Sequence, residues 1–146
     1  PVEEMRKAFE RRRDLIVKLA KEISKISQQH HLVTDILVEI NVGKEESKGG
    51  IYIEDTESFL GEISTLSGIS VKGLMTIPPA DENITKTIHY FENMYKKLVD
   101  IRSKKLDNIS MNCLSMGMSA DYAQAIEAGA NIVRVGSALF GQRVYK

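Results

Sequence analysis

Cys113-Leu114-Ser115-Met116-Gly117-Met118-Ser119 and Asn131-Ile132-Val133-Arg134-Val135-Gly136-Ser137-Ala138-Leu139-Phe140-Gly141, joined by a short helical stretch, decide how this chain is read. Each is an apolar strand running into a turn of small residues that opens a helix. Leu114 to Met116 ends at Gly117, and Ser119 stands where it would cap a helix starting near Asp121. Ile132 to Val135 ends at Gly136-Ser137, with apolar Ala138-Leu139-Phe140 behind them. A helix start carries unpaired N–H groups and a partial positive charge. Two such starts side by side, with glycines that allow close approach, suit a phosphate.

Arg134 sharpens this reading. Side chains alternate along a strand, so Val133 and Val135 share one face, and Ile132, Arg134 and Gly136 the other. The run is nearly all apolar, so both faces are expected to be buried. A buried guanidinium is costly unless it is paired. Its partner is either a protein acid such as Glu39 or a ligand, and the residues alone leave both open.

Working outward, Val2 to Gln29 holds no glycine and no proline. Val2, Met5, Phe9, Ile16, Leu19, Ile23 and Ile26 follow a three-and-four spacing broken only at Arg12, which predicts one long amphipathic helix. Such a helix is longer than one layer of an α/β domain needs and could pack against a second copy of the chain. His30-His31 read as helix-end residues rather than metal ligands. Asp35 to Val42 reads as a strand with Ile36, Val38, Ile40 and Val42 on one face. Leu37, Glu39 and Asn41 lie on the other, turning polar toward the carboxyl end. The loop Gly43 to Gly50 lacks the Gly-Lys-Ser/Thr ending of a phosphate loop.

A helix from Asp55 is expected to bury Phe59, Leu60, Ile63 and Leu66 and to stop before Gly68. Val71 to Ile77 reads as the second strand, halted by Pro78-Pro79. Asn83 caps a third helix with Ile88, Phe91, Met94, Tyr95, Leu98 and Ile101 inward. The helix between the two quoted strands uses Tyr122, Ala125 and Ile126 and stops at Gly129. The order βαβαβαβα predicts parallel strands with right-handed crossovers, as either a small open sheet or half of an eight-stranded barrel. Residues 1–31 are expected to form an N-terminal helical segment and 32–146 one βα domain, a partial barrel in the second of these forms.

The chain has 146 residues, enough for one core, and its 20 basic and 20 acidic residues cancel. Nothing in that balance favours nucleic acid or an anionic membrane. The single cysteine, Cys113, reads as a buried structural thiol, and a cytoplasmic, reducing setting fits. No signal peptide or membrane span is visible.

Glu39-Ile40-Asn41-Val42, Glu46-Ser47-Lys48, Gly73-Leu74-Met75-Thr76-Ile77, Leu114 to Ser119 and Val133 to Gly141 follow one another in order and spacing. Together, from about Leu15 onward, they resemble the pyridoxal-phosphate homeostasis protein family, which is similar to the N-terminal barrel of alanine racemase. The resemblance implies a TIM barrel of which this chain holds the last four βα units. It implies that Arg134 faces the pyridine nitrogen of pyridoxal 5′-phosphate, and that Ser115, Gly117, Ser119, Gly136 and Ser137 line the phosphate cup. An arginine there keeps the ring nitrogen unprotonated, which suits a carrier more than a vigorous enzyme.

The family's cofactor lysine sits on its first strand, just before a helix that Pro1 to Ala8 resembles. The chain is therefore expected to lack that lysine strand and strands two to four, leaving reversible, non-covalent cofactor binding. Lys44 and Lys48 remain near the barrel mouth, and Lys48 matches a family lysine; one of the two could form a weak adventitious imine, but both read as loop charges. Half a barrel leaves two open edges, so a homodimer is expected. Three functions compete. A cofactor-binding protein without robust catalysis leads. A half-barrel interaction module with no ligand follows, and an amino-acid racemase comes last.

Overall fold

A computed structural model describes residues 2–145. Alternating helices and strands place four strands in one parallel sheet, in the order β1-β2-β3-β4. Their ranges are Thr34–Glu39 (β1), Ile69–Met75 (β2), Ile109–Met118 (β3) and Ile132–Arg134 (β4). The helices are Val2–Gln29 (α1), Thr56–Ile63 (α2), Ile84–Ser103 (α3), Tyr122–Glu127 (α4) and Ser137–Phe140 (α5). The sheet is half of a barrel, preceded by the long helix that the sequence predicts. Glu39 stands level with Met75, Met75 with Ser115, and Ser115 with Ile132, so the four carboxyl ends gather at one rim.

The core lies between sheet and helices. Val71, Leu74, Met111 and Leu114 are buried in the strands. Phe59, Leu60 and Ile63 of α2, and Phe91, Met94, Leu98 and Ile101 of α3, are buried with them in one apolar cluster. The Asn83 side chain accepts the N–H of Thr85 at 3.1 Å and so caps α3 as expected.

The helix faces depart from the sequence reading in three places. Helix α1 is continuous, but it buries Val17, Ala20, Ser24 and Ser27. That row is the expected apolar stripe displaced by one residue, a rotation of about 100°. The cause is close approach: the Ser24 hydroxyl accepts the N–H of Gly68 at 3.0 Å. A Cβ on Gly68 would lie 2.1 Å from the Ser24 carbonyl oxygen, so only small residues fit this contact. Leu19 and Ile26 are left exposed, together with Leu15, which is 64% exposed. On α4 only Ala125 is buried, while Tyr122 and Ile126 face outward because β4 is short and lies at the sheet edge. Tyr95 is exposed rather than part of the buried row of α3, and Thr87 takes an inward place instead.

The strands differ too. β1 ends at Glu39, three residues before the expected Val42. Ile40 still donates to Met75 at 2.8 Å, but Asn41 donates to Ile51 at 2.8 Å. Cys113 is half-buried, not enclosed.

Candidate functional site

The rim is built from the ends of β2, β3 and β4. Arg134 is half-buried, so the expectation that both faces of its strand are covered fails; among the described residues β4 is also the edge strand of the sheet. Its guanidinium does not meet Glu39. Nη1 donates to the Ser115 hydroxyl, and Nη2 donates to the Thr76 carbonyl oxygen at 3.1 Å. Among the described residues no carboxylate forms an ion pair with Arg134. A guanidinium has five N–H donors, so two neutral acceptors leave both its charge and part of its donor set available.

Beside Arg134 lies a cavity of about 420 Å³, lined among others by Thr76, Pro78, Thr87, Gly117 and Asp121. Gly117 is buried and has φ +100°, and a Cβ there would meet the Ala125 Cβ at 2.7 Å. Its lack of a side chain lets α4 pack. Gly136 is the opposite case: it is exposed, and an added Cβ would meet nothing within 4 Å. Among the described residues nothing fills the space a side chain would take there.

Ser119 does not cap α4. Its hydroxyl oxygen accepts the N–H of Gly136 at 3.2 Å and that of Ala138 at 3.1 Å. It therefore binds the turn after β3 to the turn after β4, and the two quoted stretches converge. The turn before α4 is organised by Asp121, whose carboxylate accepts the Met118 N–H at 2.8 Å. Ser137 is exposed on the first turn of α5. The fold thus places Ser115, Ser119, Arg134, Gly136 and Ser137 at one rim, with Gly117 beneath.

The model of the alanine racemase N-terminal domain matches residues 1–144. The chain belongs to the alanine racemase N-terminal domain family. Within that family it is 43% identical over 129 residues to the pyridoxal phosphate homeostasis protein of Aquifex aeolicus, an alignment covering 87% of this chain and 55% of the relative. The chain spans about half the length of the curated relatives it matches. Among solved structures it resembles an unknown protein from Bifidobacterium adolescentis, with TM-score 0.80 and 34% identity over 85% of this chain and 49% of that one. PipY of Synechococcus elongatus PCC7942, solved with pyridoxal phosphate bound, matches with TM-score 0.75 and 25% identity. That match covers 85% of this chain and 57% of PipY.

The two lysines near the mouth of this alanine racemase-like half-barrel are both engaged. Lys48 Nζ lies 2.8 Å from a Glu45 carboxylate oxygen and donates to the carbonyls of Ile77 at 3.3 Å and Pro78 at 3.1 Å. Lys44 pairs with Glu54, and that hydrogen bond raises its pKa. Burial pushes the Glu54 carboxyl up, but the Lys44 hydrogen bond and charge pull it lower still, so it ends below its ordinary value.

Sequence reading passes over Thr76, treating it as one more strand position. No motif marks it. The available cue is a polar residue closing an apolar strand two positions before Pro78-Pro79, and its meaning emerges only from its partners on the other strands.

Proposed function

We propose that this chain binds pyridoxal 5′-phosphate reversibly, without a covalent bond, as a member of the pyridoxal-phosphate homeostasis group. The observation that carries the reading is Arg134, a half-buried guanidinium with no acid partner among the described residues, held at the rim where two small-residue turns meet. The residues suit the cofactor's two poles. Arg134 would meet the pyridine nitrogen; the hydroxyls of Ser115, Ser119 and Ser137 and the open space at Gly136 would receive the phosphate. Bound pyridoxal phosphate supplies an aldehyde and an electron-withdrawing ring, and an arginine at the ring nitrogen weakens that withdrawal. The engaged state of Lys44 and Lys48 supports a carrier over a covalent enzyme.

The partner in this reading is a small molecule, together with a second copy of the chain. The open strand edges and the uncovered Leu15, Leu19 and Ile26 favour self-association. Among the described residues no helix is long and apolar enough to cross a membrane.

Titrating the protein with pyridoxal phosphate, followed by cofactor absorbance and fluorescence, tests the reading. Saturable binding, abolished by Arg134→Glu with the fold retained by circular dichroism, is the expected result. Binding that survives the charge reversal, or no binding by the unaltered chain, returns the half-barrel to a scaffold.

A further inference from the structure

We infer that Thr76 is a positioning residue for Arg134, an inference that rests on Arg134 being the cofactor-facing group. Thr76 is fully buried at the carboxyl end of β2. Its N–H donates to the Ser115 carbonyl at 3.0 Å, its hydroxyl donates to the Ile40 carbonyl at 2.7 Å, and its own carbonyl accepts from Arg134 at 3.1 Å. One residue thereby ties together the ends of β1, β3 and β4.

The geometry gives the hydroxyl a specific task. Arg134 rests on two acceptors, the Thr76 carbonyl and the Ser115 hydroxyl, which belong to residues already joined through the main chain. With no carboxylate among the described residues to orient it, the guanidinium points wherever those two neutral oxygens hold it. The Thr76 carbonyl is fixed in turn by the bond from Thr76 Oγ1 to Ile40, next to the bond from Ile40 N–H to Met75. Ile40 is also buried, so without the hydroxyl its carbonyl has no partner and the end of β2 must shift to solvate it. That shift moves the carbonyl on which Arg134 rests. Valine keeps the shape of threonine and removes the donor; serine keeps the donor.

The test compares Thr76→Val and Thr76→Ser with the unaltered chain by two readouts. The first is the nitrogen-15 spectrum of the Arg134 side chain without cofactor, where two fixed acceptors slow guanidinium rotation. The second is pyridoxal phosphate affinity. Thr76→Val is expected to collapse the restricted Arg134 signals and weaken binding about tenfold or more, with Thr76→Ser restoring both. A merely structural role lowers the thermal midpoint of Thr76→Val yet leaves the Arg134 signals and the affinity in place, and that result overturns the proposal. If the unaltered chain binds no cofactor, the cofactor reading fails, while the Arg134 spectrum still decides the positioning role. Should Thr76→Val not fold, Thr76→Cys, a weak donor of similar size, takes its place under the same criteria.

Discussion

The hydroxyl oxygen of Ser119, on the turn after β3, accepts the amide proton of Gly136, on the turn after β4, at 3.2 Å. With the second bond, to Ala138, this serine satisfies two main-chain donors of a neighbouring unit, 17 and 19 positions along the chain. Its own proton stays free to donate to an anion in the same turn. Ser119→Ala removes that donor and loosens the joint between the turns. The two N–H groups it releases are exposed, so water takes over and stability falls by about 1 kcal/mol at most. Pyridoxal phosphate affinity is expected to fall about tenfold, the value of one charge-assisted hydrogen bond. A fluorescence titration beside a thermal melt checks both, and unchanged affinity would remove the phosphate from this turn.

Gly117 and Gly136 should respond in opposite ways. Ala at position 117 meets both a φ of +100° and the Ala125 methyl at 2.7 Å. Gly117→Ala is therefore expected to cost about 1–3 kcal/mol, a drop of several degrees in the thermal midpoint. Gly136→Leu meets no protein atom within 4 Å of its Cβ and has no positive φ. It should melt with the unaltered chain and lose cofactor binding. A Gly136→Leu protein that binds normally would show that the open space there serves no ligand.

The elements that were readable are those whose signals are local. Three-and-four spacing without a breaker gave α1 as one helix, and Asn83 gave the start of α3. The βα alternation gave parallel strands, and two motifs in tandem gave the converging turns. What was not readable depends on partners distant in sequence. Periodicity marks the apolar side of α1, yet the side that meets the sheet is chosen by how closely Ser24 can approach Gly68. Ser119 sits within reach of a helix start by position, but its acceptor capacity goes to the next unit. Burial alone required a partner for Arg134, and charge suggested Glu39. The fold instead supplied two neutral oxygens, one of them a main-chain group that no residue type announces.

The Lys44–Glu54 pair makes a small, testable contribution to acid sensitivity. A carboxyl lowered in the folded state adds stability above its ordinary value, 4.5, and loses it as pH falls through the folded value. The raised Lys44 adds stability below 10.5 and loses it as pH rises through the folded value. Both side chains are about half exposed, so the pair is worth about 1 kcal/mol at most. Asp55 acts in the other sense: burial, then Glu54 beside it, raise its carboxyl, and the resulting penalty is relieved by acid. Glu54→Gln should therefore be slightly less stable than the unaltered chain at neutral pH. The gap should close below 4.5 and in concentrated salt. Thermal midpoints across that pH range check it; a gap that persists in acid assigns the loss to packing.

Open edges make the last prediction. Among the described residues, β1 and β4 each have one neighbour in the sheet. Ile51 closes the end of β1 near Ile40, leaving Thr34 to Val38 as the free stretch. Exposed apolar side chains accompany both edges: Leu15 and Leu19 of α1 line cavities with β1, and Ile132 lies on β4, with Leu139 and Phe140 on the helix that follows it. Unpaired strand edges bordered by apolar surface drive association, and zero net charge offers no long-range repulsion. A second copy supplies the same two edges, so that two four-stranded halves can close into a ring of eight, the strand number of a TIM barrel. Light scattering behind size-exclusion chromatography is expected to give a dimer mass, and Leu19→Lys or Ile132→Lys should shift it to the monomer by placing a charge in the seam. A compact monomer at high concentration, or a dimer indifferent to both lysines, would mean that these edges are covered in some other way.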